Sequence, residues 1–269
     1  RDDLRLVESR RAGRAGPLGR RWRGARRGQG GRVGGGGEAG RGAHRGPAGP
    51  GGGGGCGVVC GGELPAETDL RLLGPTEGRR VLDLGCGVGH NAVALARQGA
   101  KVIGVDTDNE ALAHARDRAE RAEVRVELHH GALAELPFLR SDSVDAALSV
   151  FALATVEDLS RVFRQVHRVL KPEAVFVCSF PHPAFGLFDP GADDPLRVVR
   201  AYDDGSPVSW ELGYRDTVDW PRTVGEVFTT FQRTNFRVDQ ILEPTATGAS
   251  LRGASYADLM RSVPATLLV

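Results

Sequence analysis

The sequence predicts an α/β chain built on a doubly wound, mostly parallel sheet. Three observations predict it. From Arg79 onward, short apolar runs alternate with amphipathic stretches of helical length. The turn Gly85-Cys86-Gly87-Val88-Gly89 joins the first apolar run to the first of these stretches. The second apolar run ends on an acid, Asp106.

The elements follow in order. "PAETDLRLLG" (65–74) has the spacing of a short amphipathic helix. "RRVLDLG" (79–85) is a buried strand, and "HNAVALARQG" (90–99) a helix ended by Gly99. "KVIGVD" (101–106) is the second strand. "NEALAHARDRAERA" (109–122) is a helix with Asn or Asp as its cap. "VRVELHHG" (124–131) is the third strand, and 143–154 carries the fourth. "VEDLSRVFRQVHRVL" (156–170) is a helix stopped by Pro172, and "AVFVCSF" (174–180) the fifth strand. After a loop-rich stretch, 181–222, come a helix over 223–236 and a strand over 237–244. Residues 262–269 begin one more strand, inside which the chain stops.

Residues 1–62 contrast with this pattern. They hold 23 of the 38 glycines, and 13 Arg stand against 4 Asp or Glu, a net +9. With little to bury, such a segment cannot offset an ordering cost of about 1–2 kcal/mol per residue, so it is expected to be disordered. Three readings are open for it: an Arg/Gly-rich RNA-binding tail, a tail without a role, or a GC-rich gene read out of frame. The folded domain is expected over 63–269, which carries 22 basic against 30 acidic residues, a net −8. That balance argues against a nucleic-acid surface on the folded part. The sequence has no membrane-length apolar run and no secretory signal. Four scattered cysteines suggest neither a disulfide framework nor a metal site, although Cys56 and Cys60 share a C-x3-C spacing. A cytoplasmic location is the expectation.

The glycine turn carries the chemistry. A dinucleotide fingerprint is G-x-G-x-x-G, which seats a pyrophosphate on a helix N-terminus. Here the spacing is G-x-G-x-G, with His90 where the third glycine would fall. Asp83 lies two residues before Gly85; a carboxylate there repels a pyrophosphate and attracts a cationic ligand. S-adenosylmethionine carries an ammonium and a sulfonium and no phosphate. Asp106 can accept both ribose hydroxyls of an adenosine.

These residues resemble the class I S-adenosylmethionine-dependent methyltransferases, in particular the bacterial small-molecule type called methyltransferase domain 11. The resemblance covers about 63–269 and rests on "VLDLGCGVGH", "VIGVD", "ELPF" (135–138), "SVD" (143–145) and "HRVLKP" (167–172). It implies a Rossmann-like sheet of order 3-2-1-4-5-7-6 with the seventh strand antiparallel. It also implies that Gly85, Gly87 and Gly89 pass under the methionine moiety, beside Asp83 and His90. Asp106, followed by Thr107, would hold the ribose, Gly131–Leu133 would lie against the adenine, and Ser149–Leu153 would line the methyl-donor pocket. Two departures stand out. Ala132 replaces the family's usual Asp, so the carboxylate contact to the adenine amino group is lost and backbone contact at Leu133 is left. Glu173-Ala174 follow Lys171-Pro172 where the family often has two glycines. Of the covering helices expected before the first strand, only 65–74 is usable.

Methyl transfer to a small-molecule acceptor is the function implied, and a general base is needed only where the nucleophile must lose a proton. His182, in "SFPHPAF" past the fifth strand, is the candidate base, against a structural role in its turn. At most one of His129 and His130 faces the pocket. The stretch 181–222 holds Phe185, Phe188, Tyr202, Trp210, Tyr214 and Trp220, and reads either as a substrate cover or as a small satellite core. The alternatives are a nucleic-acid methyltransferase, an NAD oxidoreductase, and a methyltransferase-like binding protein without activity.

Overall fold

A computed structural model describes residues 57–60, 70–189, 194, 196–212, 215–244 and 257–269. Six strands form the main sheet: β1 (Arg80–Leu84), β2 (Lys101–Asp106), β3 (Val126–His130), β4 (Val144–Val150), β5 (Leu170–Pro181) and β8 (Thr266–Leu268). Their order is β3-β2-β1-β4-β5-β8. The first five are parallel, and β8 runs antiparallel to β5. The helices are α1 (His90–Arg97), α2 (Asn109–Arg121), α3 (Leu159–Val169), α4 (Val224–Arg233) and α5 (Ala257–Ser262).

Alternation along the strands feeds two cores, because successive side chains point to opposite faces. Leu82 and Leu84 of β1 pack with Phe163 and Val166 of α3 and Phe231 of α4. Val81 packs on the other face with Ala92 and Leu95 of α1. Helix starts follow their capping residues. The Asp108 side chain accepts the Glu110 and Ala111 N–H groups at the head of α2. Thr223 and Glu226 form a reciprocal capping box at the head of α4.

Several expectations change. Val58 and Cys60 are fully buried in the α1-side core, and the Asn91 amide pairs with the Val59 backbone in both directions, each at 2.9 Å. Packing therefore begins before Glu63, and 57–60 do not belong to a disordered tail. The rest of 1–62, including Cys56, lies outside the described residues, as do 65–69; of the helix expected over 65–74, the described half, 70–74, is helical only at Leu70. α3 ends at Val169 and β5 already starts at Leu170. Proline forces only its predecessor out of helical geometry, so the strand runs through Pro172, with a register shift opposite Val144/Ala146. The strand expected over 237–244 shrinks to one antiparallel bridge, Leu242 to Leu268. Its apolar side chains break period two: Val238 and Ile241 join one core and Leu242 the other. The stretch 181–222 contains a short helical turn, Phe185–Leu187, and a hairpin of β6 (Val208–Leu212) and β7 (Arg215–Asp219). Gly213 and Tyr214, between those strands, lie outside the described residues.

Candidate functional site

The carboxyl ends of β1, β2 and β3 converge with the glycine turn. Gly85 has φ 78°, and its N–H donates to the Val105 carbonyl at 2.7 Å, tying the turn to β2. A Cβ on Gly85 would stand 2.0 Å from the Ala152 Cβ, so the short helical turn Ala152–Thr155 presses directly on it. A Cβ on Gly89 would meet Ala115 at 2.8 Å, which lets α1 and α2 approach. Gly87 differs, because nothing lies within 4 Å of where its Cβ would be.

Asp106 ends β2 and is buried. Its Oδ2 accepts the Gly87 N–H at 2.7 Å and its Oδ1 the Asp108 N–H at 2.9 Å. A carboxylate has about four acceptor sites, so each oxygen keeps capacity for a ligand hydroxyl. Asp83 is also buried, and Ala92 N–H donates to it. Its Oδ2 has no partner. Burial, then the charge of Asp106, pushes its carboxyl up to about 7. The first turn of α1 therefore already spends an N–H on a carboxylate. A pyrophosphate would need those N–H groups and would face two acids.

This arrangement fits S-adenosylmethionine. Bare backbone bounds open space at Gly87, and a carboxylate with spare acceptor capacity adjoins it, which suits a cationic ligand bearing ribose hydroxyls. Known proteins agree. A family profile described as a methyltransferase domain matches residues 82–178. A solved S-adenosylmethionine-dependent methyltransferase from Mesorhizobium loti is 30% identical, with TM-score 0.62, over 78% of this chain and 98% of its own. The chain belongs to the class I S-adenosylmethionine-dependent methyltransferases.

Two curated relatives match more narrowly. A Mycolicibacterium smegmatis protein named a probable S-adenosylmethionine-dependent methyltransferase is 39% identical over 127 residues, 47% of this chain and 47% of its own. A demethylmenaquinone methyltransferase of Tropheryma whipplei is 39% identical over 115 residues, 42% of this chain and 46% of its own. The chain spans about half the length of these curated relatives.

The remaining expected site residues divide. Gly131 N–H donates to the Asp106 carbonyl at 3.0 Å, which brings Gly131–Leu133 beside the end of β2. Leu133 is buried against the glycine turn and Ala132 is exposed. Thr107 is exposed beside Asp106. His90 opens α1, and burial, then the Arg118 charge, hold its ring below the usual histidine range. Two expectations need correction. Ser149 is wholly buried and donates to the Leu84 carbonyl at 2.7 Å, so it braces β1 against β4 and offers the cleft nothing. His182 is buried with both ring nitrogens occupied. Its Nδ1 accepts the Ala184 N–H at 3.0 Å and its Nε2 meets Glu243 Oε1 at 2.8 Å. Both ring nitrogens are thus engaged, and the ring ties the exit of β5 to the 243 segment. Sequence reasoning missed Arg222, whose guanidinium donates to the Val156, Glu157 and Trp220 carbonyls. Two of its three partners, Val156 and Glu157, lie about 65 residues away in the chain, so the local sequence does not reveal them.

Proposed function

We propose that this chain is an enzyme that transfers the methyl group of S-adenosylmethionine to a small-molecule acceptor. The observation that carries the reading is the junction of Asp106 and Gly87: an acceptor carboxylate locked beside bare backbone that opens on empty space. Bound there, the cofactor supplies a methyl already activated on a sulfonium. The chain's part is positioning, which can contribute on the order of 7–11 kcal/mol to such a displacement. Asp106 accepts the ribose hydroxyls. Gly85 and Gly87 keep the floor free of side chains, and the buried Asp83 carboxyl lies behind the turn.

The acceptor side belongs to 181–222, which is anchored beside the glycine turn through Trp220 N–H to the Ala154 carbonyl, 2.8 Å. Phe185, Phe188 and Trp220 are half-buried there and Tyr202 is exposed. Such walls suit a planar, largely apolar acceptor, and one relative is named for a demethylmenaquinone. The reading includes no nucleic-acid partner, in keeping with the acidic balance of 63–269, and a cytoplasmic location. No helix among the described residues is long and apolar enough to cross a membrane.

Calorimetric titration with S-adenosylmethionine, S-adenosylhomocysteine and NAD tests the proposal. Both sulfur ligands are expected to bind and NAD is not. Binding of NAD alone would end the reading. Binding of neither sulfur ligand would leave a methyltransferase-like protein without activity.

A further inference from the structure

We infer that His130 reads the base of the bound nucleoside, through its Nδ1, in the role left open by Ala132. The inference rests on the proposed cofactor site and deepens it. The edge of the sheet works as a ruler. The glycine turn stands on β1, Asp106 ends β2, and His130 ends β3 in direct register with Asp106. Adjacent strands lie about 4.8 Å apart. A ligand with its amino-acid end over β1 and its ribose on Asp106 therefore carries its base to the end of β3.

The side chains there differ sharply in what they can offer. Ala132 has a methyl and no acceptor. His129 is spent: its Nε2 lies 2.6 Å from Glu127 Oε1, and its ring stacks on Phe138 with centroids 3.8 Å apart. His130 is exposed, and its Nε2 lies 3.0 Å from the Thr107 carbonyl. A carbonyl only accepts, so Nε2 carries the proton and, in the neutral ring, Nδ1 is left as an acceptor. The same bond fixes the ring against the residue that follows Asp106. An exocyclic amino group needs such an acceptor, whereas an oxo group in its place does not.

S-adenosylhomocysteine and S-inosylhomocysteine, which carries an oxo group where adenine has its amino group, provide the test. The wild-type chain is expected to bind the adenine ligand at least about tenfold more tightly. His130→Ala should weaken S-adenosylhomocysteine by about tenfold, the worth of one buried hydrogen bond, and erase the preference. His130→Asn, whose Oδ1 stands near the position of Nδ1, should restore much of it. Because His130 is exposed, thermal melts of both variants should match wild type. A preference unchanged in His130→Ala, or loss of both ligands in equal measure, would overturn the inference. Failure of the wild-type chain to bind either ligand would overturn the proposed function, and this inference with it.

Discussion

The Asp106 carboxylate holds the Gly87 N–H at 2.7 Å, so one side chain both shapes the glycine turn and faces the space above it. Asp106→Ala should therefore cost affinity twice, by removing the ribose acceptors and by releasing the turn. Hydrogen bonds to a charged group contribute about 1.5–3 kcal/mol each. A loss of about 3 kcal/mol is roughly a hundredfold in Kd for S-adenosylhomocysteine. An unchanged calorimetric affinity would mean that the ribose is held elsewhere.

The glycines of the turn should separate folding from binding. Gly85→Ala drives a methyl to 2.0 Å from Ala152, in a left-handed conformation as well, and should destabilise the chain by more than about 3 kcal/mol. Gly87→Ala meets no neighbour and carries only the left-handed penalty, about 1–2 kcal/mol. Its methyl would project into the cleft, so the variant should fold yet bind S-adenosylhomocysteine poorly. Urea melts paired with titrations check both, and normal binding by a folded Gly87→Ala would move the ligand off this turn.

Asp83 should make stability depend on pH. Its folded carboxyl keeps a proton up to about 7, whereas the ordinary value is 3.8. The stability it contributes is complete below about 3.8 and is lost as pH rises through about 7. Asp83→Asn keeps a carbonyl for the Ala92 N–H and removes the buried charge. Its Tm should exceed that of wild type at pH 8, and the difference should shrink toward pH 5. A variant that melts lower at pH 8 would show that the fold needs the ionised carboxylate.

The parallel frame was legible because each strand–helix unit carries its own period and punctuation: β2 covers the six residues expected for it, and Asp108 caps α2 as its position suggests. The geometry of the candidate site was legible where it rests on backbone, at Gly85 and Gly87, and on a carboxylate that ends a strand. What escaped depends on distant partners. Ser149 and His182 are residue types that chemistry uses, but Leu84 and Glu243 claim them in space. Val58 and Cys60 sit in a glycine-rich stretch whose composition hides their burial. The β6–β7 hairpin did leave a signal, a glycine between two alternating runs, of the kind that two-residue turns favour.

Glu173 should be a correctable strain. It occupies φ 61°, a left-handed position that disfavours side chains with a Cβ, where the family often carries glycine. Its ion pair with Arg237, at 3.9 Å, joins two exposed groups and contributes little. Glu173→Gly should therefore gain about 1 kcal/mol, less the entropy cost of a more flexible unfolded chain. Chemical denaturation measures this. A clear loss of stability would mean that the register shift in β5 depends on that side chain.

Arg222 should decide whether the hairpin segment stays fastened. Its guanidinium serves the Glu157 and Trp220 carbonyls at 2.9 Å and the Val156 carbonyl as well, while Trp220 N–H reaches Ala154. Those partners flank the turn that presses on Gly85. The group is half-buried, and burial holds its pKa below the usual arginine range against the pull of Glu226 and Asp158. Arg222→Ala strands three carbonyls, which should lower stability by about 2–3 kcal/mol after allowance for solvent access. Lysine keeps the charge but not the planar fork, so Arg222→Lys should recover less than half of that. Hydrogen exchange gives the local reading: protection should fall across Val208–Leu212 and Arg215–Asp219 while the amides of β1 and β2 keep theirs. Full recovery by lysine would assign the effect to charge alone. Unchanged hairpin protection in Arg222→Ala would show that the segment is held by its own packing.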